Sequence, residues 1–279
     1  MTSAVSHIHS GANRRFFTAV FLALLLAVLS AYSSGLNNGF ILDDEVLIVN
    51  NPYVKNAAFW GRIFTTSIFH FQNRSPGESC EYYRPLQSLS FAFDYAVYKL
   101  NPLGYRLTNI FIHACNAFLV FALIYLLLKD KVISFIASVL FAIHPIHAAL
   151  VTFISGRSNL LETFFMFSSL LVFILFLQKR GRFYLFLSLA LFVLALFSRE
   201  GALLLPFFLV FILLFLRTGR RESVSCLIPF LAISAIYVIL RSHLFPCDKL
   251  GLAFLLSFKN IIYFFRSLYG YITQLIIPC

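Results

Sequence analysis

The chain has 279 residues, of which 60% are hydrophobic and only 12% charged. Soluble domains carry about 45–50% apolar and about 25% charged residues, so a water-soluble globule of this composition could not cover its own surface with polar groups. The net charge of +11 would point to nucleic acid in a soluble chain. Here it belongs to lysines and arginines that flank apolar runs, and no nucleic-acid partner is expected.

Apolar runs close to the ~20 residues that cross a bilayer recur along the sequence. The first covers 16–36, behind Arg14 and Arg15. Its small residues Ser30, Ala31, Ser33 and Ser34 resemble a signal-peptide cleavage site, but an integral membrane chain needs no cleavage to insert, and the run is read as a span. A polar stretch over 37–104 follows, the long extracytoplasmic first loop. Within it 86–98 is an amphipathic surface helix, interrupted by Asp94 and too short to span. Further apolar segments at 105–128, 132–154, 160–177, 183–197, 202–216, 223–240 and 257–277 give about eight spans. The 183–197 run is short, and the last is interrupted by Arg266. The expected fold is all-α: one polytopic membrane domain over 1–279.

Sidedness follows from the short connections. With the N-terminus in the cytoplasm, the inside segments hold Arg14, Arg15, Lys129, Lys131, Lys179, Arg180, Arg182, Arg217, Arg220 and Arg221, against Arg157, Arg199, Arg241 and Lys249 outside. The same assignment puts Asp43, Asp44, Glu45, Glu78, Glu81, Asp94, Glu200 and Asp248 outside, with Glu162 one turn into the fourth span. Acid–base chemistry therefore belongs to the extracytoplasmic face. Five cysteines set no disulfide framework. Cys115 and Cys226 fall in apolar segments, and Cys80 and Cys247 share the outer side, where a bridge between them is conceivable.

Four features carry chemistry. Asp43-Asp44-Glu45 lies seven residues beyond the first span, where mutual repulsion beside a low-dielectric surface raises at least one carboxyl pKa. That suits a general base or a metal ligand; a solvated loop or a helix cap is the competing reading. Arg106, Asn109, His113 and Asn116 recur at steps of three, four and three, and so share one helix face that cannot meet lipid. Hydrogen bonding inside the bundle accounts for Asn116, whereas Arg106 and Asn109, nearest the outer surface, are candidates to meet a substrate. His144-Pro145-Ile146-His147 places two histidines on one face at a helix break, able to bind phosphate or metal or simply to pack at the kink. No third metal ligand stands nearby, so metal dependence stays open. Ser198-Arg199-Glu200-Gly201 forms a tight outer turn that is either a surface ion pair or a site wall. Arg84, Lys259 and Arg266 add positive charge suited to holding phosphate. Carboxylates, histidines and arginines gathered at one membrane face fit chemistry on an anionic lipid-borne group better than they fit a pore.

The stretches 40–54 (FILDDEVLIVNNPYV), 83–121 (YRPLQSLSFAFDYAVYKLNPLGYRLTNIFIHACNAFLVF), 140–161 (LFAIHPIHAALVTFISGRSNLL) and 198–206 (SREGALLLP) resemble, in order, the membrane half of the transmembrane and tetratricopeptide-repeat O-mannosyltransferase-like family, within the GT-C glycosyltransferases. The resemblance covers roughly 10–279. It implies transfer, with inversion, of mannose or a similar hexose from a polyprenyl-phosphate donor to a protein or glycan hydroxyl. Asp43 is the implied general base, with Asp44 assisting. Arg84, Arg157 and Arg199, helped by His144 and His147, are the implied holders of the donor phosphate. Glu200 matches an acidic position of the family, and Arg106, Asn109 and His113 complete the implied site wall. Arg106 stands where relatives show histidine, Arg199 where lysine is common, and Glu162 where a small residue is common. Relatives continue into tetratricopeptide repeats, and no 34-residue repeat is found here. A short form, a partner-dependent half and an inactive truncated anchor are the corresponding expectations, beside a non-catalytic lipid carrier. The short length and the lack of a sorting motif favour a bacterial inner membrane over the endoplasmic reticulum.

Overall fold

In the computed structural model, the described residues are 11–69, 82–179, 181–216 and 225–244. Their regular structure is helical: α1 Gly11–Tyr32, α2 Pro52–Lys55, α3 Trp60–Ile63, α4 Pro85–Tyr98, α5 Pro102–Leu128, α6 Lys131–Ile143, α7 Ala148–Thr152, α8 Arg157–Lys179, α9 Arg182–Ser198, α10 Leu205–Phe215 and α11 Ile228–Leu244. The starts are written locally. Pro102 sits in the first turn of α5, where its missing N–H costs nothing, and Asn101 caps it by accepting from Leu103 N. Asp130 caps α6 by accepting from Val132 N at 2.8 Å and Ile133 N at 2.9 Å.

Three helical stretches, 14–35, 102–128 and 154–179, are long and apolar enough to cross a membrane, and α6 with the 145–152 segment makes a fourth when the 45° bend between them is taken as one broken span. Among the described residues that makes up to four of the about eight spans expected from sequence. α9, α10 and α11 are apolar but fall short of spanning length, and the 257–277 segment lies outside the described residues, with Lys259 and Arg266. So do Cys80 and Cys247; Cys115 and Cys226 are half-buried. The stretch between α1 and α5 is more structured than an extended loop, since α2, α3 and α4 fold onto the bundle.

Large apolar side chains face outward along the helices. Leu22 and Leu26 of α1, Ile136 and Leu140 of α6, and Phe207 and Phe211 of α10 are all more than half exposed. Inside lie arginine, asparagine and serine. An apolar exterior, with the polar side chains turned inward among the packed apolar ones, is what a lipid solvent selects. This is a membrane protein.

Two apolar clusters hold the bundle. One joins α1, α5 and α6 through Leu24, Val28, Ala114, Ala117, Phe121 and Ala142. Its alanines let the helices approach closely, which replaces the hydrophobic drive that lipid cannot supply. The other packs Phe173 of α8, Phe192 of α9 and Phe230 of α11. Ser169 and Ser188 stitch α8 to α9 reciprocally, each hydroxyl donating to the other's carbonyl at 2.8 and 2.9 Å. A third cluster seats the α1–α5 connection on the bundle through Ile48, Val54, Phe91, Tyr105 and Ile154.

Contacts between helix ends orient the molecule. Phe17 at the start of α1 meets Tyr125 near the end of α5, and Lys131 at the start of α6 lies over Phe16. At the opposite end, Tyr32 donates to the His144 carbonyl at 3.2 Å. Arg14, Arg15, Lys129 and Lys131 therefore gather at one end of the bundle, and the α1–α5 connection, the α6–α7 break and Ser155-Gly156 at the other.

Candidate functional site

The α6–α8 region is broken twice, at His144-Pro145 and at Phe153–Gly156. Each break frees carbonyls that lipid cannot satisfy. The polar face of α5 satisfies such carbonyls at Ala142, Val151, Thr152 and Phe153 and reaches others in α8 and the α1–α5 connection. Asn116 donates to Leu160 O at 3.0 Å, and His113 Nε2 pairs with Ala142 O at 3.0 Å. Asn109 donates to Phe153 O at 3.0 Å and Val151 O at 3.3 Å. Arg106 donates to Thr152 O at 3.2 Å, to Gly39 O at 2.6 Å and to Asn38 O. The sequence reading held that role for Asn116 and gave Arg106 and Asn109 to the substrate. In the fold both are buried and their donors are taken by backbone, so the whole stripe ties broken helix to bundle.

Arg157, implied by the resemblance as a holder of the donor phosphate, is buried as well. Its side chain is fully buried and pairs with Asp94 at 2.7 Å. It also donates to Asn109 Oδ1, to Tyr105 O at 2.8 Å and to Ser90 Oγ at 3.3 Å, and it lies over the Phe91 ring. Asp94, which looked like an interruption of an amphipathic helix, is its counter-ion, held in turn by the Thr108 hydroxyl at 3.0 Å. His144 and His147 sit with His113, Tyr32 and Phe141 in an aromatic group between α1, α5 and α6. His144 Nδ1 accepts from Ile146 N, capping the turn that follows the break. Neither histidine lines the cleft described next.

That cleft, about 440 Å³, opens where the α1–α5 connection meets the start of α8. Asp43, Arg84, Gln87, Ser158 and Asn159 supply its polar wall, and Leu42, Leu47, Ile68, Phe69, Leu150 and Phe153 an apolar one. The two adjacent aspartates have separate fates. Leu42 stands at φ 51, a left-handed turn uncommon for a branched side chain, and Asp43 behind it is exposed at the cleft. Asp44 turns inward and is fully buried, accepting from Ser155 N at 2.8 Å and Ile41 N at 3.2 Å. Burial pushes its carboxyl pKa up, against the opposing pull of those two N–H groups and of the Arg106 charge. Asp44 thus pins the wall on which Asp43 stands. Gln87 grips the same residue from the other side, donating to Ser155 O at 2.9 Å.

Arg84 is the arginine that lines the cleft. It stacks on Tyr82, its guanidinium carbon 4.5 Å from the ring centre, and pairs with Glu200 at 3.3 Å. Glu200 in turn faces Arg241 of α11 at 3.7 Å. Arg199 stands behind the wall, donating to Asn159 Oδ1. The Ser198–Gly201 turn is therefore tied to the cleft through Arg84 and Asn159. Sequence reasoning missed Gln87, Ser158, Asn159 and Tyr82, although all fall within or beside the stretches singled out above; short polar side chains gave no spacing signal to follow. Among the described residues no three His, Cys, Asp or Glu side chains come together as a metal cage.

No protein-family model and no solved structure matches the chain. Curated proteins do. The protein O-mannosyl-transferase F38B6.6 of Caenorhabditis elegans is 33% identical over 166 residues, 55% of this chain and 22% of the relative. The human protein O-mannosyl-transferase TMTC3 is 34% identical over 151 residues, 54% of this chain and 16% of its own length. Human TMTC2, also named a protein O-mannosyl-transferase, is 34% identical over 166 residues, covering 59% of this chain and 19% of the relative. The matched part thus spans about a fifth of the length of these relatives. Over about half its length, the chain is similar in sequence to the TMTC-type protein O-mannosyl-transferases.

Proposed function

We propose that the chain is a membrane glycosyltransferase that passes mannose, or a similar hexose, from a polyprenyl-phosphate donor to a hydroxyl of a protein or glycan acceptor. The observation that carries the reading is one cleft holding an exposed carboxylate, Asp43, and a cation, Arg84, beside an apolar wall. It lies at the end of the bundle away from Arg14, Arg15 and Lys131, which the basic-residue bias assigns to the cytoplasm. The cleft then faces the periplasm of a bacterial inner membrane or the lumen of the endoplasmic reticulum. Names of the relatives support the transfer class; they leave the donor and the compartment to experiment.

In this reading Asp43 takes the proton of the acceptor hydroxyl. The acceptor oxygen forms its bond to the anomeric carbon on the face opposite the phosphate, and the bond from that carbon to the phosphate oxygen breaks. Polyprenyl phosphate departs with the electron pair. Arg84, oriented by Glu200 and Tyr82, offsets the charge that develops on it, and Arg199 adds to the positive potential from behind Asn159. The apolar wall of Leu42, Leu47, Leu150 and Phe153 receives the first isoprene units.

The test is sugar release from a radiolabelled polyprenyl-phosphate mannose by detergent-purified chain, with wild type, Asp43→Asn and Asp44→Asn compared. Loss of turnover in Asp43→Asn with donor binding retained supports the assignment. Turnover that survives Asp43→Asn removes the base. Binding with no turnover in any form points instead to a lipid carrier.

A further inference from the structure

At the end of the bundle away from the cleft, a second groove runs between α1 and α6. Its volume is about 370 Å³. Phe16, Ala19, Val20 and Ala23 of α1 form one wall, and Val132 and Phe135 of α6 the other. The α1 residues recur at steps of three, one and three, a continuous strip of one helix face. Ala19 and Ala23 carry no side chain beyond Cβ, which is what opens the groove; both are exposed to the bilayer. From Phe16 to Ala23 the floor is roughly 10 Å long at 1.5 Å per residue, most of the depth of one leaflet's hydrocarbon.

The groove is apolar except at its mouth. There Lys131 is exposed and stands 4.6 Å from the centre of the Phe16 ring. Arg15 precedes Ala19 by one helical turn and so continues the same face into the headgroup region. Arg14 and Lys129 flank the same end of the bundle. Among the described residues, the carboxylate beside this mouth is Asp130, which accepts from Val132 N and Ile133 N at the α6 N-terminus. Among the described residues, Arg14, Arg15, Lys129 and Lys131 outnumber the Asp130 carboxylate at this mouth, which leaves a net positive charge above a slot shaped for hydrocarbon.

We infer that this groove binds a glycerophospholipid with an anionic headgroup, its acyl chain lying along Ala19 and Ala23 and its phosphate at Lys131 and Arg15. This site is separate from the donor cleft, at the other end of the bundle, and stands whether or not the chain transfers sugar. The basic residues select the headgroup, since each contributes attraction to anionic lipid near the surface. The two alanines select the position, because a larger side chain at either would fill the slot.

The experiment is native mass spectrometry of the chain released from bilayers of equal dioleoyl-phosphatidylglycerol and dioleoyl-phosphatidylcholine, which differ in headgroup alone. One phosphatidylglycerol is retained in preference to phosphatidylcholine. Lys131→Gln lowers that preference about fivefold, the worth of one basic residue at the surface. Ala23→Phe, on the lipid-exposed face where folding is not at stake, removes the retained phosphatidylglycerol while Lys131 is intact. Equal retention of the two lipids by wild type overturns the site, as does an unchanged preference in Lys131→Gln or undiminished retention in Ala23→Phe.

Discussion

Arg157 separates a structural arginine from a substrate arginine, and replacing it tests the reading most sharply. Arg157→Met keeps the length and apolar bulk of the side chain and removes its charge and donors. It leaves the Asp94 carboxylate, Asn109 Oδ1 and the Tyr105 carbonyl without the partner that now sits within a hydrogen bond of each. Breaking a buried ion pair from one side costs about 3–5 kcal/mol, and the orphaned Asn109 Oδ1 would add about 1–3 kcal/mol without relaxation, while the Tyr105 carbonyl keeps its bond within α5. Because Asp94 keeps the Thr108 hydroxyl and the site can relax, about 4 kcal/mol is the working figure. For a chain of this size that is a fall of roughly 10 °C in unfolding midpoint. The assay is the fraction of monodisperse protein left after heating in detergent, read by size-exclusion chromatography. Pairing Arg157→Met with Asp94→Asn removes the stranded charge and recovers part of the loss, a coupling of about 1–3 kcal/mol. Arg157→Lys recovers little, because one ammonium cannot reach acceptors arranged around a planar guanidinium. A midpoint within about 2 °C of wild type together with lost donor binding would refute the argument and return Arg157 to the phosphate.

Three further outcomes follow from the same geometry. A methyl added at Gly156 meets the Leu150 carbonyl group, whose carbon lies at 2.9 Å; Gly156→Ala therefore shifts backbone at the cleft wall, costing about 1–3 kcal/mol and lowering turnover, and unchanged activity and midpoint would contradict the packing. Burial raises the Asp44 pKa above its ordinary 3.8, so between that value and the raised one the folded state binds more protons than the unfolded state, and stability falls as pH rises. Asp44→Asn removes that slope and one acceptor, so its deficit against wild type narrows as pH climbs from 4 to 7; a deficit that widens refutes the direction. Arg84→Gln weakens donor binding and removes one side of a largely buried pair with Glu200, whose side chains are 13% and 28% exposed; since Arg241 still faces Glu200, a rise in KM is expected with a midpoint shift smaller than that of Arg157→Met.

Part of this was legible in residues alone. The stripe at 106, 109, 113 and 116 announced a helix face turned to protein, because amides and imidazole cannot be left in hydrocarbon. Its acceptors were not legible. They are backbone carbonyls of other segments, at the breaks near Pro145 and Phe153–Gly156, in the α1–α5 connection and in α8, and backbone carries no letter in the sequence. Residue type alone did not separate Asp43 from Asp44, and only the family resemblance put Asp43 first; a left-handed turn at Leu42 leaves Asp43 at the cleft and Asp44 under Ser155. Asp94 was read as a flaw in an amphipathic helix because its partner lies 63 residues away. Long-range pairing of that kind has no local signature.

The broken helices and the cleft are one design. A cleft lined by backbone turns cannot sit beside lipid unless each freed carbonyl finds a donor. Here α5 supplies them, from Arg106 at the connection to His113 at the first break. Asp44 and Gln87 then fasten the Ser155 peptide from both sides, through its N–H and its carbonyl. Arg157, the next arginine along, anchors the start of α8 to α4 and α5. What remains unfastened on this side is the surface of the cleft: Asp43, exposed behind a strained turn, and Arg84, held by Glu200 but still lining the opening. Rigid support beneath two accessible groups of opposite charge is what a positioned base and a phosphate-facing cation require. Weakening the support without touching either group, by Asn109→Ala, should therefore lower turnover more than donor binding.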